Sequence, residues 1–306
     1  GILPPAAGPS LRQLILRNRG KFNHPGKEIA MKIHFYGTGA SEGVTATFCN
    51  CKNCVKIRTA HRDGSSKNFR SRTSTKIDSN LLIDFSPDVF DHMRYGGLDL
   101  NDIDYLVVTH AHMDHFYPEE LMHIAPPYSM SPIPGEMTVF GNETVCEKLR
   151  QVGAEKISDY LHVRRVSNFE EFTAGDYTIK ALPANHDRTQ ECHLYIIRRN
   201  GRNLLYAHDT GYFPDRTWQA LEGERFDGVV LDCTCCNGPT YFDNHMGFED
   251  NLRVKERMLS RHMADENTVF IATHFVHTYG PFQEELEKAF HVHGFLAAYD
   301  GMEADI

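Results

Sequence analysis

Long hydrophobic runs are missing from this chain of 306 residues. Its apolar runs are short, as in Leu14–Leu16 and Val229–Leu231, whereas crossing a bilayer takes about 20 apolar residues. A basic surplus is missing too. Lys and Arg number 32 against 41 Asp and Glu, a formal net charge of −9. That balance excludes a protein that coats nucleic acid through a broad basic surface. No apolar core follows the basic residues near the N-terminus, so a secretory signal is not expected. No internal repeat or low-complexity tract is visible. With 41% hydrophobic residues, the chain has enough apolar material for a sizeable core and is not globally disordered.

Two residue types are abundant instead. There are 18 histidines, whose specific uses are proton transfer and metal binding. There are 8 cysteines, three of them within Cys49–Cys54. In a chain this long they read as metal ligands or reduced thiols rather than as a disulfide scaffold. Reduced thiols and the missing secretory signal make a cytoplasmic location the expectation.

Residues 1–30 stand apart. Pro4, Pro5 and Pro9 precede Arg12, Arg17, Arg19, Lys21 and Lys27, with Glu28 the sole acid. The expectation is an N-terminal extension over 1–30, a leader or an expression-derived segment, followed by a single domain over 31–306. From Met31 onward short β-branched runs alternate with helical stretches, each bounded by Gly, Pro, Asn or Asp. Strands are expected at 32–36, 80–85, 105–109, 137–140, 177–182, 194–198, 203–207, 228–232, 268–272 and 296–299. Helices are expected at 87–95, 143–152, 215–221, 249–263 and 281–290. Many strands with interspersed helices suggest an α/β (α+β) domain of two sheets flanked by helices.

The strongest motif follows the strand at 105–109: His110-Ala111-His112-Met113-Asp114-His115. Neutral imidazole and carboxylate suit borderline divalent cations such as zinc. Residues two apart in an extended segment project the same way, so His110 and His112 can share one ion. Asp114 and His115, in the following turn, can aim at a second. Three later strands also run into ligand-type residues: His186-Asp187, His208-Asp209-Thr210-Gly211 and Thr273-His274.

This ordered set resembles the metallo-β-lactamase superfamily, from Met31 to nearly the end of the chain. The resemblance implies a four-layer αββα sandwich of two mixed sheets with a dinuclear metal site along their edge. It implies that His110, His112 and His186 hold one divalent ion, that Asp114, His115 and His274 hold the other, and that Asp209 bridges both. Zinc, manganese and iron all suit these ligands. Asp84 matches the family's early aspartate, which orients a metal ligand through a hydrogen bond.

Cys49-x-Cys51-x-x-Cys54 suggests a structural zinc knuckle inserted at about 49–75, for which a fourth ligand is needed. His61 is a local candidate. The turn Gly37–Val44, the cysteines and the ending Asp300-Gly301-Met302-Glu303 together resemble the phosphodiesterase subgroup of bacterial phosphonate breakdown, which opens 5-phosphoribosyl 1,2-cyclic phosphate. That resemblance implies His277 as the fourth ligand. It also implies a leaving-group acid, His245, beside the catalytic carboxylates Asp114 and Asp209. Cys233 at a strand end reads as a buried small residue, and His291 and His293 as a surface pair. Arg70, Arg72 and Thr73 lie in a polar stretch that could meet phosphate or simply face solvent.

The expected activity is hydrolysis of a small cyclic or nucleotide-like phosphodiester, by in-line attack of a hydroxide bridging the two ions. One alternative is an RNA-processing nuclease resembling the tRNA 3′-end endonuclease. The other is a non-hydrolytic accessory protein of cofactor biosynthesis with the same fold. A homodimer is possible by base rate.

Overall fold

A computed structural model describes residues 30–60, 66–130, 136–238, 243–280 and 282–306. The expected extension up to residue 29, His61 and Pro281 lie outside the described residues. Two seven-stranded sheets organise the rest. The first has the order β14-β1-β2-β3-β4-β5-β6, with β1 Lys32–Gly37, β2 Ser74–Ile77, β3 Leu81–Ile83, β4 Tyr105–Val107, β5 Met137–Gly141, β6 Leu161–Arg165 and β14 Met302–Asp305. The second has the order β13-β12-β11-β10-β9-β8-β7, with β7 Glu171–Ala174, β8 Tyr177–Pro183, β9 His193–Arg199, β10 Arg202–Ala207, β11 Gly228–Asp232, β12 Val269–Thr273 and β13 Phe295–Ala297. Each sheet begins antiparallel and turns parallel, the first from β3 to β6 and the second from β10 to β13.

Ile33, Phe35, Val107, Ile179, Ile197 and Ile271 meet between the sheets in one buried cluster. The outer faces carry helices. Leu106 and Val139 pack with Val89 of α2 (Val89–Arg94) and Leu149 of α3 (Glu143–Val152). Leu205 and Val229 pack with Trp218 of α4 (Asp215–Leu221), Val254 of α5 (Phe248–Ser260) and Phe290 of α6 (Gln283–His291). The result is the αββα order expected from the sequence. α3 shows why a local signal is readable: the Asn142 side chain accepts from the Val145 N–H, and Gly153 closes the helix with φ +85°.

Four strands escape the sequence pattern: β2, β6, β7 and β14. The last three are sheet edges, with one hydrogen-bonded neighbour each. A helix over Lys52–Ala60, α1, also escapes it, because its apolar positions are few and it follows the cysteines. The expected strands at 80–85 and 105–109 are shorter, ending before Asp84 and Val108.

The polar stretch after residue 66 is a fastening, not a phosphate contact, at Arg70. This side chain is 2% exposed and donates to Thr38 Oγ1 (2.9 Å), the Ala298 carbonyl (2.6 Å) and Gln283 Oε1 (2.6 Å). Thr73 is buried as well. Asp300 accepts from Thr38 N (2.9 Å) and Ser71 N (2.6 Å), tying the chain's last turn to the end of β1.

On α2, His92 is buried, and burial pushes its pKa down to about 4. Its folded-state pKa therefore lies below the unfolded value of about 6.5, so its contribution is fully present above pH 6.5 and is lost as pH falls toward 4. Between pH 6.5 and 5 the wild type is expected to lose about 2 kcal/mol through this group, a loss absent from His92→Gln. Urea midpoints of both proteins at the two pH values check it. Equal losses would refute a neutral buried His92.

Candidate metal centre

The C-terminal ends of strands from both sheets, all but β8 in their parallel portions, meet along one edge, where open α/β sheets commonly place their sites. Asp84 follows β3, the His110–His115 segment follows β4, His186 follows β8, Asp209 follows β10, Asp232 ends β11 and His274 follows β12. Three of these residues have left-handed backbone: Asp84 (φ +62°), Asp209 (φ +50°) and His274 (φ +65°). Such conformations are costly for non-glycine residues and cluster at functional sites.

Two groups of donor atoms converge here. In the first, His112 Nδ1 lies 2.9 Å from His110 Nε2 and 3.0 Å from His186 Nε2. Asp209 Oδ2 lies 3.3 Å from both of those Nε2 atoms. The outer ring atoms are engaged elsewhere: His110 Nδ1 with Thr109 Oγ1 (3.1 Å), His186 Nδ1 with the Asn244 carbonyl (3.2 Å) and His112 Nε2 with Asp187 Oδ2 (3.2 Å). These outer bonds fix which nitrogen of each ring carries its proton and turn the other inward.

The second group joins Asp114, His115, Asp209 and His274. His115 Nε2 is 3.0 Å from Asp209 Oδ2 and 3.4 Å from Asp114 Oδ2, and His274 Nε2 is 3.9 Å from Asp114 Oδ2. His115 Nδ1 donates to Asp84 Oδ2 at 2.8 Å, and Thr234 Oγ1 meets His274 Nδ1 at 2.7 Å. One oxygen, Asp209 Oδ2, thus sits within reach of rings from both groups. His115 Nε2 and His274 Nε2 are buried without a hydrogen-bond partner. Buried polar atoms are rarely left so, and atoms that aim at a common point without bonding one another fit metal ions.

The electrostatics agree with that fit. Burial holds His110 down at about 3, in the neutral form a metal needs. Burial would push Asp209 up, but His274 and His186 hold its carboxyl well below the usual range. Burial would likewise lower His115, yet Asp114 and Asp84 raise it well above its ordinary value. The buried carboxylates therefore demand positive charge at this spot, a demand divalent cations answer.

His245 also reaches the centre. Its Nδ1 lies 2.9 Å from Asp209 Oδ1 and 3.2 Å from Asp232 Oδ2. Burial opposes its charge, but hydrogen bonds to Asp209 and Asp232 push it up to about 11. Sequence reasoning missed Asp232, which gathers Thr234 N (2.9 Å), Met246 N (3.1 Å) and Thr210 N (3.2 Å) around the site. Its signal was the one used elsewhere, an acid at the end of an apolar strand. His208 was missed too. It is buried, its ring lies 4.7 Å from that of His274, and neither of its nitrogens has a partner.

A separate cluster unites Cys49, Cys51, Cys54 and His277. His277 Nδ1 lies 3.5 Å from Cys51 Sγ and 3.4 Å from Cys54 Sγ. A backbone hydrogen bond from Cys54 holds Cys51 down at about 6, while burial pushes Cys54 up to about 11. Cys233, Cys235 and Cys236 are buried free thiols, and His291 and His293 are exposed.

A four-layer αββα sandwich with paired His/Asp groups at its strand ends defines a class of metal-binding folds. The chain belongs to the β-lactamase superfamily: the family model described as beta-lactamase superfamily domain matches residues 79–275. Most of that superfamily are metal-dependent hydrolases, and the fold implies divalent metal ions. Among solved structures, the chain is similar to a diphosphatase from the PhnP family, with 22% identity, TM-score 0.70, and 91% of this chain and 98% of that one covered. It is similar in fold to Zn(2+)-bound PqqB from Methylobacterium extorquens, with 14% identity, TM-score 0.69, and coverage of 90% and 100%. Among curated proteins it is 26% identical over 126 residues to the exodeoxyribonuclease YycJ of Bacillus anthracis, 41% of this chain and 43% of that protein. The chain thus matches under half the length of that relative. Among the described residues no helix is long and apolar enough to cross a membrane.

Proposed function

We propose that the protein is a dinuclear metal-dependent phosphodiesterase acting on a small cyclic or nucleotide-like phosphodiester. The observation that carries the reading is Asp209 Oδ2, placed within 3.3 Å of His110 and His186 Nε2 and 3.0 Å of His115 Nε2. One carboxylate shared by two ligand groups is the arrangement that holds two ions side by side. His110, His112 and His186 would hold one, Asp114, His115 and His274 the other, with Asp209 between them. Ions bound there would act as Lewis acids on the phosphate and make hydroxide available near pH 7.

The chain's own residues do the rest. Asp84, Thr109, Thr234 and Asp187 orient the rings, so the ligand atoms need no rearrangement when substrate arrives. His245, held between Asp209 and Asp232, donates the proton that the leaving alkoxide needs. Cys49, Cys51, Cys54 and His277 hold a structural zinc that fixes the loop beside the site.

The reading is tested by hydrolysis of bis-p-nitrophenyl phosphate and of 2′,3′-cyclic nucleotides with zinc, manganese or iron supplied. Turnover supports it. No turnover with any of the three metals would leave the non-hydrolytic alternative standing. His245→Ala is expected to lose about 10²–10⁴-fold in kcat with its metal content unchanged. Undiminished turnover would remove the proton-donor role.

A nuclease reading draws support from the likeness to the exodeoxyribonuclease. The net charge of −9 favours a small ester over a long polyanion. Gel assays with precursor tRNA and single-stranded DNA separate the two.

A further inference from the structure

Beside the metal centre lies a cleft of about 620 Å³, lined by Thr45, Phe48, Cys49, Arg72, Asp88 and Met113. Its size falls within the usual range for small-ligand pockets, about 300–1,000 Å³. Met113 places it next to the site, because Met113 sits between His112 and Asp114 and is 53% exposed. Phe48 is 98% exposed. An aromatic ring wholly in water contributes nothing to the fold, yet the loop that carries this one is held in place. The loop is anchored at its start, where Ala40 N donates to the Phe275 carbonyl at 3.1 Å. It is anchored at its end by Cys51 and Cys54 against His277. Arg58 Nη2 adds a bond to the Cys49 carbonyl at 2.7 Å. Both anchors lie on the segment just after β12 that also bears His274.

The cleft's charge argues for an uncharged occupant. Arg72 is locked onto Asp88, whose Oδ2 accepts from both Arg72 N (2.7 Å) and Nε (3.0 Å). Burial opposes Asp88's charge, but that pairing holds its carboxyl below the usual range. Arg72 is balanced by Asp88, and the other charged residues on the wall, Glu42 and Arg70, balance each other, with the Arg70 guanidinium buried and committed to Thr38, Ala298 and Gln283, so the cleft has no surplus positive charge for a second phosphate. What it offers is an aromatic face and a polarisable thioether, the pair that grips a flat ring.

We propose that Phe48 and Met113 form the platform on which the flat nucleobase of a nucleotide substrate stacks while its phosphate lies at the metal centre. The proposal rests on the phosphodiesterase reading and narrows it to esters carrying a planar aromatic group. Phe48 is a specificity-determining residue in that scheme, and the cysteine cluster is the device that sets its position.

The test is calorimetric and independent of turnover. AMP and ribose 5-phosphate are titrated into the metal-loaded full chain, its Phe48→Ala variant and its Phe48→Trp variant. AMP is expected to bind the wild type about tenfold more tightly than ribose 5-phosphate, to lose about that factor in Phe48→Ala and to keep it in Phe48→Trp. Since Phe48 is fully exposed, its removal leaves the fold intact. AMP affinity no tighter than that of ribose 5-phosphate, including no binding of either, overturns the proposal, as does unchanged AMP affinity in Phe48→Ala. Base-dependent binding without hydrolysis of any phosphodiester would refute the phosphodiesterase reading and leave the platform. Hydrolysis with base-independent binding would do the reverse.

Discussion

Asp209→Ala is expected to lower phosphodiester turnover by at least about 10³-fold and to empty both metal positions together. The size of the effect follows from where the carboxylate sits. Its Oδ2 faces the Nε2 atoms of His110, His186 and His115, and its Oδ1 faces His245. Removing it strips a carboxylate from both groups of donor atoms and takes away the partner of His245, the proposed proton donor. Asp84→Asn makes the contrast. Asp84 touches only the outer nitrogen of His115 and the Thr109 N–H and hydroxyl among these groups. It is expected to weaken metal binding by about 10–100-fold and to be restored by excess metal. Elemental analysis and kinetics against bis-p-nitrophenyl phosphate measure both. Asp209→Ala protein retaining two ions and wild-type rate would refute the shared-carboxylate arrangement.

Cys51→Ser is the second large effect, and it falls on stability first. One zinc per chain should be lost while the dinuclear positions keep theirs. Structural zinc contributes about 10–16 kcal/mol of apparent binding energy in small peptides, and here it would join residues more than two hundred positions apart. A destabilisation of at least about 4 kcal/mol is expected. In a domain of this size that lowers the melting temperature by roughly 8–16 °C. Differential scanning calorimetry with elemental analysis checks it. A variant that melts with the wild type and keeps its full zinc would show that the cysteines hold no metal.

Much of this site was legible because its residues follow strong apolar strands. A run such as Leu106–Val108 ending in His110 announces both the strand and the exposed end of it. Asp209 and His274 are readable for the same reason. His277 was not readable from spacing, which offered His61 as well. Its cysteine partners lie 223 and 226 residues away, and no local pattern encodes such a closure. The edge strands were illegible for a related reason. Leu161–Arg165 buries only its first residue, so alternation never develops. Arg70 shows the opposite error. A polar residue in a polar stretch looked free, whereas three long-range hydrogen bonds bury it.

The left-handed backbone at Asp84, Asp209 and His274 has a bearing on engineering. A programme that relaxes strained backbone by placing glycine at left-handed positions would target these three, where a non-glycine residue costs roughly 1–2 kcal/mol apiece. Each such change would delete a group from the metal centre. Backbone relaxation and the chemistry of the centre are therefore opposed at the same three residues.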